Sequence, residues 1–187
     1  INSGSQSIEQ SARLLAECYR IFDGLVKEQA GNSQSRITKI DGAATASIYT
    51  DDPAYFRPVL GFASYAKKHL QPWTAAVLLH GSLATRDYYK DYSDFDTIII
   101  IARQAFSHGS ELELFRRAYR RSLAYLYWFD PLQHHGHIVL TEYDLSWYPE
   151  RLLPIAVFEN ARSLTDKEVM INFSIRDSTD ECISELR

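Results

Sequence analysis

Leu78-Leu-His-Gly-Ser-Leu-Ala-Thr-Arg-Asp-Tyr-Tyr-Lys-Asp-Tyr-Ser-Asp-Phe-Asp-Thr-Ile-Ile99 is the stretch whose reading decides how this chain folds. Apolar runs bracket it: residues 74–79 lead in, and Thr97-Ile-Ile-Ile-Ile-Ala102 leads out. Both have strand length, and the second is apolar at successive positions, as a strand covered on both faces is. Gly81-Ser82 reads as the turn between them, followed by a short helix over 83–88. A strand that ends on glycine lets another group come close to the backbone. Ser82 then adds a hydroxyl and an N–H where the helix begins. Helix starts leave N–H groups without intrahelical partners and carry the positive end of the dipole, so the Gly-Ser turn is a natural phosphate seat.

After an eleven-residue spacer (residues 83–93), Asp94 and Asp96 flank Phe95 at the head of the second strand, expected over 94–101. Strand alternation puts the two carboxylates on one face, with Phe95 and Thr97 on the other. Carboxylates roughly 6–7 Å apart can share one hard cation or bridge two. Mg²⁺ suits such a place, because it takes few carboxylates and completes its shell from phosphate oxygens and water.

Outward from this stretch, apolar residues at helical spacing predict a helix over 8–29, and 31–35 reads as a loop. Residues 36–49 allow a short strand or irregular structure. Asp51-Asp52-Pro53 reads as a capped helix start, the helix running to about 70 and ended by Pro72. A long helix is expected over 110–128, with Ser110 as cap and Glu113 at the capping-box position. Strands are expected at 137–141 and 169–175, and a helix at 149–160. The sum is an α/β (α+β) chain with a small mixed sheet flanked by helices. Its organisation reads as an N-terminal helical or irregular extension (1–50), a core (51–176), and the start of a truncated helical part (177–187).

With 187 residues, 45% hydrophobic and 24% charged, the chain has ample material for a core. No run of about 18 uncharged apolar residues offers a membrane span. A net charge of −4 argues against a general nucleic-acid binder. Cys18 and Cys182 stand apart with no CxxC pair, which favours a reducing compartment, the cytoplasm, and offers no zinc cage. The chain begins with Ile1 and shows no basic-then-apolar leader, so the expectation is a trimmed product without a secretory signal.

An apolar strand, Gly81-Ser82, a spacer of this length and Asp94-Phe95-Asp96 opening another strand together resemble the signature of the DNA polymerase β-like nucleotidyltransferase superfamily. The likeness covers about residues 74–101. Ser93-Asp94-Phe95-Asp96 is similar to the form found in small bacterial members that adenylylate antibiotics or proteins. The resemblance implies that Asp94 and Asp96 hold Mg²⁺ and that Gly81 and Ser82 grip the phosphates of a nucleoside triphosphate, ATP above all. It further implies transfer of a nucleoside monophosphate to a hydroxyl of a small molecule or a protein, with release of pyrophosphate.

That family usually adds a third carboxylate from a neighbouring strand. Here the corresponding stretch, Gln133-His-His-Gly-His-Ile-Val-Leu-Thr-Glu142, carries histidines and places its first acid at the far end. His137 is taken as the third catalytic residue. His135 or Glu142 could fill the role instead, or activity is weakened or absent. Imidazole suits a base near neutral pH and is a poor Mg²⁺ ligand. Two rivals therefore stand beside the transferase: a nucleotide-binding or regulatory member of the same fold, and a hydrolase or metal-binding protein centred on the histidines. Adjacent histidines on a strand would face opposite ways, which counts against all three sharing one ion.

Overall fold

The computed structural model of the chain describes residues 3–28, 33–42, 49, 51–148, 150–151 and 153–176. Among them the fold is mixed α/β, with six α-helices and two small sheets. Helix α1 (Ser3–Glu28) is followed by strand β1 (Ser33–Ile40) and helix α2 (Arg57–His69). Strand β2 (Thr74–Leu79), the one-turn helix α3 (Gly81–Thr85) and strand β3 (Thr97–Ile101) come next. Helix α4 (Gly109–Phe129) leads to strand β4 (Ile138–Thr141), the short helices α5 (Glu142–Leu145) and α6 (Ala156–Glu159), and strands β5 (Arg162–Ser163) and β6 (Val169–Arg176).

The main sheet has the order β4-β3-β2-β5. Strand β2 runs antiparallel to β3 and β5, whereas β3 and β4 are parallel, with Ile98 opposite Ile138 and Ile101 opposite Thr141. A parallel pair needs a crossover, and α4 supplies it. The five residues of β3 are all buried, as its unbroken apolar run requires. On one face Val77, Leu79, Ile99 and Ile101 pack with Val59, Phe62 and Ala66 of α2 and Phe115 and Leu126 of α4. On the other, Ala76, Leu78, Ile98 and Ile100 meet Tyr148, Ile155, Phe158, Ile171 and Phe173. The second face is completed by the antiparallel β1–β6 ribbon, in which Ile37 pairs with Asn172. No helix among the described residues is long and apolar enough to cross a membrane.

Several elements differ from the sequence reading. β3 begins at Thr97, so Asp94, Phe95 and Asp96 lie ahead of it in extended coil. Strand pairing on one side there is replaced by a side chain: the Gln133 carboxamide accepts from Phe95 N at 3.3 Å and donates to Phe95 O at 3.2 Å. At the Asp52-Pro53 start, Asp52 Oδ1 accepts from Tyr55 N, which makes a turn, and the helix itself opens at Arg57 with a proline in its first turn. Helix α4 starts at Gly109 with His108 as its cap and no side-chain cap bond, which puts Ser110 inside the helix and Glu113 past the capping-box position, where its carboxylate binds Arg116 and Arg117. The capping box sits instead at Thr141 and Asp144, opening α5. The helix expected over 149–160 shrinks to Ala156–Glu159. Pro154 cannot donate to a preceding turn and disfavours helical backbone at Leu153. Tyr148 adds a bond from its N to Ser174 O, tying that segment to β6. The helix start expected over 177–187 and part of the 31–35 loop and the 36–49 segment (residues 31–32, 43–48) lie outside the described residues.

Phe95 is the point where the acidic corner is fastened to the core. Its ring is fully buried and stands edge-on to Phe62 at 5.8 Å and tilted against Phe129 at 5.6 Å. Phe95→Ala is expected to cost about 3–5 kcal/mol in chemical denaturation, the range for emptying a buried aromatic site. Exchange of the neighbouring exposed Tyr92 for Ala should stay within about 0.5 kcal/mol.

Candidate functional site

Antiparallel pairing of β2 with β3 decides what meets at the end of the sheet. Leu79 pairs with Thr97, and the ladder continues one step as His80 N donates to Asp96 O at 3.0 Å. Gly81 therefore follows directly beside Asp96. Its φ is +70°, and a Cβ built there would lie 2.6 Å from Asp96 Oδ2. Only glycine accepts both the backbone angle and that contact without a shift.

The other oxygen of Asp96 looks the opposite way. Oδ1 stands 3.2 Å from His135 Nε2, and Asp94 Oδ2 stands 3.8 Å from the same nitrogen. Asp94, Asp96 and Gly81 are thus brought together, with His135 touching both carboxylates. His135 Nδ1 lies 3.1 Å from Gly136 O, a carbonyl that can only accept, so Nδ1 carries the hydrogen. Nε2 then turns a lone pair toward two carboxylates. Such a convergence of lone pairs is stable only with a positive species shared among them, a proton on Nε2 or a cation. His80 stands behind this group. Burial holds its imidazole below the ordinary value, opposed by the Asp96 carboxylate, and His135 adds to the lowering. Its buried Nε2 finds no hydrogen-bond partner among the described residues.

Ser82 is half-buried in α3, next to Gly81. The helix has only five residues, so a phosphate would be received there by first-turn N–H groups and the Ser82 hydroxyl, with little macrodipole behind them. The helix is held by its carbonyls: Tyr49 Oη donates to Leu83 O and Arg162 Nε to Ala84 O. Arg86 and Lys90, the cations of the spacer, are paired with Asp51 at 2.5 Å and Asp52 at 2.6 Å.

The structure does not bring His137 to the carboxylates, and the catalytic part expected of it is corrected. His137 faces the α2–α4 core on the side of Thr97, opposite Asp96. It is buried, 2.5 Å from Thr97 Oγ1 and 2.9 Å from Ser122 Oγ, and its ring stacks on Phe62 at 4.9 Å. Ser122 donates to Tyr119 O, so it accepts from His137 Nε2, and Nδ1 accepts from Thr97. Burial lowers its pKa to about 4, which keeps it neutral near pH 7. Glu142 is remote as well: it follows Thr141, the partner of Ile101, roughly 16 Å along the strands from Asp96. Its carboxylate accepts from Arg103 N at 2.7 Å. On the face of β4 that neighbours the carboxylates, the first position is Ile138 rather than an acid.

Gln133 is the residue that sequence reasoning missed. It is buried, and its two bonds to Phe95 hold the Asp-Phe-Asp backbone straight. Nothing in the sequence pairs a coil glutamine with a residue 38 positions earlier.

Two consequences are measurable. Gly81→Ala is expected to lose about 1–2 kcal/mol of stability through its left-handed backbone alone, and to push the Asp96 carboxylate away; denaturation of Gly81→Ala beside Ser82→Ala separates this from a generic effect. For His137 the folded pKa of about 4 lies below its ordinary 6.5, so the unfolded chain binds the extra proton first. Its share of stability is complete above about pH 6.5 and is lost as pH falls to about 4. The difference in unfolding free energy between the native chain and His137→Leu should therefore slope with pH in that window and flatten on either side. Among known proteins, no family model, no curated protein and no solved structure matches this chain.

Proposed function

We propose that the chain is a metal-dependent nucleotidyltransferase of the DNA polymerase β-like kind, moving a nucleoside monophosphate, AMP from ATP in the first instance, to a hydroxyl. The acceptor is a small molecule or a protein; the acidic charge disfavours a long nucleic acid. The observation that carries this reading is the contact of Gly81 with the Asp96 carboxylate, 2.6 Å from a built Cβ, with Asp94 and His135 beside it. A phosphate seat and a pair of hard oxygen donors are thereby adjacent in space as well as at the characteristic spacing. The exposed Cys18 thiol fits a reducing compartment such as the cytoplasm.

The donor set fits a divalent cation. Asp94 and Asp96 would hold it, Mg²⁺ being the family's expectation, and when bound it neutralises the triphosphate and acidifies the acceptor hydroxyl. Gly81 and Ser82 would seat the β- and γ-phosphates through backbone N–H groups and the Ser82 hydroxyl. The acceptor oxygen bonds to the α-phosphorus, the bond from that phosphorus to the bridging oxygen breaks, and pyrophosphate leaves with the electron pair. The acceptor proton goes to a base, the candidate being His135 Nε2, 3.2 Å from Asp96 Oδ1 and 3.8 Å from Asp94 Oδ2.

One observation favours a second reading. With Ile138 where an acid would complete the usual carboxylate set, the same corner could bind nucleotide without transfer. A single experiment separates the two. The full chain is incubated with Mg²⁺ and each labelled nucleoside triphosphate, and pyrophosphate release and label on protein are followed. Transfer predicts release that falls roughly 100-fold or more in Asp94→Ala/Asp96→Ala, since losing ligands costs at least what losing their supports does. Binding without release favours the second reading, and release that survives the double substitution overturns the first.

A further inference from the structure

The sequence reading set the histidines against each other by strand alternation, yet residues 133–137 form no strand. Freed from the pleat, the His134 and His135 rings stand 4.8 Å apart at 82°. One ligand atom from each, with a carboxylate oxygen of Asp94, all fall within 4.8 Å of one another.

We infer that Asp94, His134 and His135 form a centre for a transition-metal ion of the Zn²⁺ and Co²⁺ class, in preference to Mg²⁺. It shares Asp94 and His135 with the proposed transfer site, where an ion on His135 Nε2 would take the lone pair that the transfer uses as base, and it does not depend on transfer occurring. Imidazole is the donor that distinguishes these ions: it suits zinc and its neighbours and is poorly used by Mg²⁺. Two imidazoles and one carboxylate are also a set that leaves an open position at catalytic zinc.

Three further observations point to a ligand here. His135 Nδ1–H is spent on Gly136 O, the outer bond that typically fixes a metal-binding histidine, and Nε2 is left facing the carboxylates. The separations from Nε2 to Asp96 Oδ1 and Asp94 Oδ2, 3.2 and 3.8 Å, bracket the ~3.4 Å between two donors that share a tetrahedral ion at ~2.1 Å. His80, next to Gly81, has a buried Nε2 that finds no hydrogen-bond partner among the described residues. His134 is exposed, so its ring can close on an ion with little repacking.

The test uses the full chain stripped of metal and titrated with Co²⁺, read by visible absorption and then by competition. One Co²⁺ per chain is expected, displaced by Zn²⁺ and retained in a large excess of Mg²⁺. His134→Ala and His135→Ala should each weaken binding roughly tenfold or more, while His108→Ala, an exposed imidazole at the start of α4, should not. Far-UV circular dichroism of the exposed-site variant His134→Ala verifies that the fold is kept. Co²⁺ binding indifferent to both histidines, or lost to Mg²⁺ at matching concentration, overturns the inference. Co²⁺ binding without pyrophosphate release upholds this site and counts against the transferase reading. Release with Mg²⁺ from a chain that takes no Co²⁺ does the reverse.

Discussion

The geometry of the acidic corner depends on how Phe95 is held. Its ring is locked into the aromatic side of the core, and its backbone is paired on one side by a glutamine carboxamide instead of a strand. With the phenyl group fixed on one face, the flanking carboxylates have to project from the other. A glutamine in this position satisfies one N–H and one C=O at once, the pairing a neighbouring residue would give in a sheet. It does so without continuing the ladder, so β4 is free to start later and the loop ahead of it can bend toward the carboxylates. Core packing, sheet termination and site geometry are therefore one arrangement.

That arrangement gathers groups that repel one another. Two carboxylates converge on His135 Nε2, a contact that needs a proton or a cation between them, a half-buried second imidazole shares the same end of the sheet, and the spacer cations Arg86 and Lys90 are engaged elsewhere. A merely structural corner would disperse such charge or bring a cationic side chain to it. Local cost held in place by surrounding rigidity is characteristic of sites that receive something.

How much of this was legible in the sequence depends on which force sets each feature. β2, and β3 from Thr97 onward, read correctly because an unbroken apolar run has few alternatives to a buried strand. The meeting of Gly81 with the aspartates follows from antiparallel pairing, which brings the end of β2 beside the start of β3 although residues 80–96 lie between them. The start of β3 was placed too early, since alternation cannot tell a strand from a chain paired by a side chain. Glu113 looked like part of a capping box, but the helix starts at Gly109, which leaves Glu113 past the third helical position and free to bind Arg116 and Arg117. The histidines were misassigned for a related reason: a periodicity of two was applied to residues 133–137, which are irregular, so His137, just ahead of β4, went into the core while His135 reached the acids. Gln133 and Ile138 gain their meaning only from register across the sheet.

The β1–β6 ribbon joins residues 33–40 to residues 169–176 and roofs the second core with Ile40, Ile171 and Phe173. Closing so long a span costs about 2 kcal/mol more entropy than closing a ten-residue loop. During synthesis, moreover, the inner half of this clasp leaves the ribosome long before the outer half exists. Ala76, Leu78, Ile98 and Ile100 must then wait bare on one sheet face while α2 and α4 already cover the other. The nascent chain thus passes through a half-roofed stage, greasy on one side and open-edged, in which chaperone capture competes with self-association.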